Sequence, residues 1–270
     1  MKRKFGILGI FLAAFLVLTS LKADAATDWN SGVITATGTG IPTTGTSGAQ
    51  ARILARRAAI ADAYRQLLET TQGVQVDAET TVEMMMVTSD VIRTKVSGII
   101  KGAQIVSENI TPDGGYEVTM QIGMFGSGSL ADAVIERPAE IVPFPAPQPT
   151  MPSQPTVTVT ISGGYTGVVI DCRGLGLNPG MSPVIKDASG TKLYGHTNIN
   201  PDYVIQHGMA SYAHDMGMAS RAGSNPLVIK AVSLADHNAN PVISIDDGNR
   251  MLLENNSGGF LSQTAVVFLY

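Results

Sequence analysis

A chain of 270 residues, 44% hydrophobic and 15% charged with 29 glycines, is long enough for two small domains with cores of their own and is unlike a disordered or coiled-coil protein. Its formal net charge of −4 argues against a nucleic-acid partner, which would call for a basic stripe. With Cys172 as the only cysteine no intramolecular disulfide can form, and stability must come from packing.

At the start, Lys2, Arg3 and Lys4 precede an apolar run from Phe5 to Leu21, followed by Ala23-Asp24-Ala25. Charged region, apolar core and small-residue site in that order form an export signal, so residues 1–25 are read as a signal peptide cleaved after Ala25. Cleavage takes away four basic residues and one acidic residue, leaving 14 against 21 and a net charge of −7. The mature protein is expected in the periplasm. No cysteine stands just after the apolar run, so no direct lipid anchor is expected, and an acidic chain has little with which to hold anionic lipid.

Residues 26–136 are predicted as a small α+β unit. Its first strand runs from Gly32 to Gly38, where β-branched residues lie between glycines. A helix follows from a capping box of Ser47 and Gln50 to a left-handed stop at Gly73. The 3.6 period places Leu54, Ala58, Ala61, Tyr64 and Leu68 on its buried face, with Arg52, Arg56, Asp62, Arg65 and Glu69 in solvent. Val74-Gln75-Val76 alternates as a strand. Glu83 to Val96 reads as a helix that cannot bury Met84, Met85 and Met86 together. Ile99–Ile110 and Tyr116–Phe125 form a hairpin across Pro112-Asp113-Gly114-Gly115, with Tyr116, Val118, Met120 and Ile122 on one face.

Trp29 to Gly38, Ala51 to Arg65, Gly73 to Val76 and Asp113 to Val118 carry a shared pattern. It comprises a W-x-x-G strand, a helix of small residues with arginines, a G-V-x-V strand and a D-G-x-Y-x-V hairpin. In these residues the chain resembles exported bacterial proteins typified by the Lpp-twenty outer-membrane lipoprotein, and is similar to the N-terminal module of flagellar assembly protein T. The resemblance spans about Trp29 to Gly128. It implies a helix-on-antiparallel-sheet module associated with outer-membrane or flagellar structures, with no catalytic residues to carry over. The lipidated cysteine of the lipoprotein members has no counterpart here.

From Arg137 to Thr156 the chain holds seven of its 14 prolines, a composition that forms neither helix nor central strand and reads as a semi-rigid linker between independent domains. Residues 157–270 resemble no family and are predicted as a β-rich domain. Its strands are expected at Val157–Ile161, Gly167–Asp171, Leu227–Ser233, Pro241–Ile245 and Thr264–Tyr270, with one helix within Pro201–Met218. Asp246-Asp247-Gly248-Asn249 reads as a hairpin turn, too short for a calcium loop.

The densest polar cluster, Asp171, Cys172 and Arg173, is a candidate interaction site at a strand end. It is either an ion-paired turn around a small buried residue or, with a histidine as base, a nucleophile. His196, His207, His214 and His237 lack the spacing of a metal site, and no cofactor is implied. These features predict a non-enzymatic envelope assembly or scaffold protein that works with an envelope partner or by self-assembly, reaching the outer membrane through a partner. The alternatives are a periplasmic hydrolase using Asp171, Cys172 and a histidine, and a ligand-binding module.

Overall fold

The computed structural model describes residues 25–148 and 163–270. The proposed signal up to Asp24 and the strand expected at Val157–Ile161 lie outside them. The first unit contains β1 (Ala25–Asp28), β2 (Val33–Gly40), α1 (Gly48–Gln72), α2 (Val82–Thr88), α3 (Asp90–Lys101), β3 (Gln104–Ile110), β4 (Tyr116–Gly123) and α4 (Leu130–Val134). Its antiparallel sheet runs β1-β2-β4-β3, and α1 packs mainly on β2 and β4. This is the helix-on-sheet α+β architecture that the alternation predicts.

The face of α1 differs from the periodicity reading. Ala51, Ala55, Ala59, Ala63, Leu67 and Thr71 are buried, not Leu54, Ala58, Ala61, Tyr64 and Leu68. The reason is closeness. A Cβ on Gly38 would fall 2.1 Å from the Ala59 carbonyl oxygen, and one on Gly40 would fall 2.0 Å from that of Ala55. Helix and strand touch backbone to backbone, so the smallest stripe turns inward and the larger apolar residues flank it.

Helix ends differ as well. Ser47 makes no side-chain cap, and Gly73 stays right-handed at φ −75°, so the capping box does not form. The helix expected over Glu83–Val96 is two helices, because the Ser89 hydroxyl accepts from Ile92 N (3.4 Å) and starts a new one. Met86 points inward while Met84 is half exposed. Val74–Val76 makes only a single bridge, Gln75 to Thr81, rather than a sheet strand.

The second unit is β-rich as expected and contains β5 (Gly167–Asp171), β6 (Ile185–Asp187), β7 (Lys192–Tyr194), α5 (Pro201–His207), β8 (Ser211–Ala213), β9 (Pro226–Lys230), β10 (Ser233–Ala235), β11 (Asn240–Ile243), α6 (Ile245–Gly258) and β12 (Val266–Leu269). One sheet, β8-β12-β5-β9, is parallel throughout. The other, β10-β11-β6-β7, is mixed. Parallel strands covered on both faces read as unbroken apolar runs, and Val168 to Ile170 and Val266 to Leu269 are all buried.

The helix expected within Pro201–Met218 is α5, which ends at His207, where Gly208 turns at φ +75° and β8 begins; the reading of it as the one helix of this unit is corrected by α6. Asp246–Asn249 is no hairpin turn but the first turn of α6, where the Ser244 hydroxyl caps Asp247 N (3.0 Å) and bonds its carboxylate (2.6 Å).

Most buried apolar residues of both units form one continuous cluster, with a smaller one of Val169, Ala213, Ala219, Ala222, Val267 and Leu269 on the other face of the parallel sheet. Met181 N and Ser182 N donate to the carbonyls of Gln75 (3.0 Å) and Val76 (2.7 Å), and Gly126 N donates to Ile205 O (2.8 Å). The proline-rich stretch read as a spacer from Arg137 to Thr156 is also engaged in its described part. Val142 N donates to Thr197 O (2.8 Å), Phe144 stacks on Tyr194, and Gln148 exchanges two bonds with the Asn249 amide (2.7 and 2.9 Å). An extended proline strap keeps free carbonyls and amides, and these let it lie along a surface instead of crossing solvent.

Candidate functional site

The four parallel strands end in one register row of Asp171, Ala213, Lys230 and Leu269. In open parallel sheets this carboxyl edge is where ligands bind, so the sequence cluster falls at the edge where chemistry would be sought. Its groups, however, satisfy one another. Arg173 donates from Nε (2.9 Å) and Nη2 (2.7 Å) to the two carboxylate oxygens of Asp171, and its backbone N adds a third bond (3.1 Å). The guanidinium holds the Asp171 carboxyl below the usual carboxylate range, with the Lys230 charge helping.

Cys172 is fully buried. Burial, and then the charge of Asp171, push its thiol from 9.0 up to about 12. Among the described residues no histidine bonds it: the Sγ contact is the Ile170 carbonyl, His214 Nδ1 sits 3.4 Å from Tyr270 O, and His207 Nδ1 sits 3.2 Å from Tyr203 O. His207 and His214 lie on different elements, α5 and the segment after β8, so their seven-residue spacing does not place them on one helical face. His196 lies in a 3-10 turn, and His237 in a left-handed turn between Asp236 and Asn238. Among the described residues no group of three or more histidine, cysteine or acidic side chains could hold a metal.

The thiol gives a direct prediction. A maleimide reagent at pH 8 is expected to leave Cys172 unlabelled in the folded protein and to label it once denaturant unfolds the chain, because reaction needs exposed thiolate. The same burial makes the fold sensitive to alkali. Below pH 9 both states carry the neutral thiol; between there and about 12 the unfolded chain ionises first, so stability falls as pH rises. Buried Tyr194 and Tyr212 are raised as well and add to the trend. Cys172→Ala should lessen the slope of stability against pH in this window; an unchanged slope would mean the thiol is exposed.

Two arginines on the exposed side of α1 are engaged with carboxylates. Arg56 Nε binds Glu108 (2.9 Å) and Arg65 binds Glu69 and Asp62. What sequence reasoning missed lies in the seam and at an edge. The Tyr212 hydroxyl bonds both N (3.0 Å) and O (2.8 Å) of Gly180, and its ring meets Trp29 of the first unit edge-on at 5.5 Å. Arg221 reaches Gly208 O, Thr264 O and Thr264 Oγ1, each at 2.6 Å, and so fixes a β-branched residue at φ +50°. Neither role has a local sequence signal, since both partners are far along the chain. At the sheet border, β3 pairs only with β4 among the described residues and leaves Ile105, Val106 and Ile110 40%, 52% and 57% exposed.

Residues 28–123 match the LPP20 lipoprotein family. They run from the end of β1 to the end of β4, the sheet with the helices between its strands, and so agree with the resemblance read from Trp29 onward. Residues 167–270, from β5 to β12, match the second domain of Treponema pallidum Tp0624, a likeness that the residues alone did not suggest. A search of curated proteins found no match. The LPP20 match supports an exported, envelope-associated protein. No helix among the described residues is long and apolar enough to cross a membrane.

Proposed function

We propose that the chain is a non-enzymatic assembly protein of the cell envelope, whose LPP20-like unit docks an envelope partner by strand addition along β3. The observation that carries this reading is the edge itself. β3 is seven residues long and contains neither proline nor lysine, the usual guards of a border strand. Three of its apolar side chains stand in solvent, and its one negative charge, Glu108, is held by Arg56. A bulge between Ile105 and Ser107 is the one device that interrupts it. Such an edge offers backbone bonds to an extended segment, and its exposed apolar side chains select among segments.

Placement in the periplasm next to outer-membrane or flagellar structures is the finer form of this proposal and rests on the LPP20 likeness. A hydrolase working through Cys172 would need a thiolate beside a base, and the buried thiol at about 12 supports the non-enzymatic reading. The test is Val106→Lys. Since Val106 is half exposed, stability should change by no more than about 0.5 kcal/mol, while cross-linking of the chain to envelope proteins in intact cells should drop about tenfold or more. Equal cross-linking in wild type and variant would overturn docking at β3.

A further inference from the structure

In the first unit, α3, the start of β3, the end of β4 and the loop into α4 surround a groove of about 550 Å³, within the range of small-molecule sites. Ile99, Ile122 and Phe125 form its apolar lining, and Lys95 and Asp132 supply its charges. Those two charges are not equally engaged. The Asp132 carboxylate takes a bond from Arg137 Nη2 (3.2 Å), whereas Lys95 has no carboxylate partner among the described residues and reaches only the Asp132 backbone carbonyl at 3.4 Å. A cation is therefore left over beside an apolar surface.

A second observation points the same way. Ser129 also lines the groove and is 6% exposed, yet its hydroxyl has no hydrogen-bond partner. It occupies the N-cap position of α4 without making the cap bond. Buried hydroxyls are nearly always paired, and this one, closed off from solvent as the groove stands, would gain a partner if its side chain turned toward a ligand oxygen in the groove.

We infer that this groove binds an amphipathic anion, with the acidic head at Lys95 and the hydrocarbon on Ile99, Ile122 and Phe125. The groove meets β3 only at Gln104, and the exposed apolar side chains of the proposed docking edge, Ile105, Val106 and Ile110, are not among its lining residues. A free alkyl carboxylate and the acyl chains of an anionic bilayer share this chemistry. The groove is an open concavity, which a single free molecule can follow and a flat bilayer surface cannot.

Gly98 makes the test clean. It lies on α3 in the wall of the groove, and a Cβ there would meet nothing within 4 Å, so Gly98→Trp should fill the space and leave the fold intact. Calorimetric titration with dodecanoate, kept below its micelle concentration, is expected to show binding to the full wild-type chain. Binding should weaken at least tenfold in Gly98→Trp and several-fold in Lys95→Gln, with the thermal midpoints of both variants near wild type. Dodecyltrimethylammonium, of opposite charge, should bind far more weakly, and phosphatidylglycerol vesicles should not sediment the protein. Absent dodecanoate binding, or undiminished binding by a folded Gly98→Trp, would overturn the site. Equal affinity for the cationic probe would overturn the role of Lys95, and vesicle capture abolished by Gly98→Trp would overturn the free ligand in favour of a bilayer. Val106→Lys should bind dodecanoate as wild type does, so failure of strand docking and failure of the groove are read separately.

Discussion

Gly38→Ala is expected to destabilise the protein by about 3 to 5 kcal/mol, at the upper end of what overpacking costs. The added methyl would sit 2.1 Å from both the Ala59 carbonyl oxygen and the Ala63 nitrogen. These are backbone atoms within the 25-residue α1, so no rotamer change can relieve the clash, and the whole helix must lift from the sheet. Urea unfolding would measure the loss as a shift in midpoint. The matched control is Gly98→Ala, also a glycine-to-alanine change, at a site with open space. It should be neutral or stabilising by up to about 1 kcal/mol, because alanine is the better helix former. A loss under about 1 kcal/mol for Gly38→Ala would mean that α1 and β2 are not in backbone contact.

The second large effect is expected at the seam. Tyr212→Ala removes a fully buried ring that meets Trp29, Phe268 and Tyr270 and leaves both backbone groups of Gly180 without their partner. Truncation of a large aromatic in a core costs about 3 to 5 kcal/mol. The chain has a single tryptophan, and it stands on the far side of this contact. Wild-type unfolding followed by Trp29 fluorescence and by far-ultraviolet dichroism should therefore coincide, while in Tyr212→Ala the emission of Trp29 should shift in the folded protein. Identical Trp29 emission in wild type and variant would show that the two units do not meet at this ring.

These two sites also mark the limit of what single residues disclose. The hairpin of β3 and β4 was legible because Val118, Met120 and Ile122 alternate with polar neighbours and a glycine turn lies between the strands, but Ile99 to Lys101, read as the start of its first strand, are the last turn of α3. The strand ending at Asp171 was legible to the residue for a similar reason, as an apolar run bounded by glycine and a polar cluster. The buried face of α1 was not legible: hydrophobic periodicity weighs Leu54 and Tyr64 above alanines, yet contact with Gly38 and Gly40 selects for small size.

α6 was hidden by its own polarity. Asp246, Asp247 and Asn249 read as turn residues until Ser244 is seen to cap the helix, and Asn249, Glu254 and Asn255 are buried, the first two bonding the distant Gln148 and Gly163. Parallel pairing is non-local by nature, so nothing near Ser211-Tyr212-Ala213 announces that it borders β12. The candidate cluster was legible in kind. Asp171 and Arg173 are two residues apart and pair, and Cys172 turns inward between them.

The position of β12 has a consequence for the order in which the fold can be completed. It follows β5, β8 and β9 in the chain yet lies between β5 and β8, bonded to both. A polypeptide delivered with its amino end first would present β8 and the open edge of the β5–β9 pair for a time with a vacant slot between them, apolar strands with unpaired backbone facing the gap. Such an intermediate is prone to pair with other chains. Its safe passage depends on how quickly Val266 to Leu269 arrive, and truncation ahead of Val266 would take out the middle of the sheet rather than trim its margin.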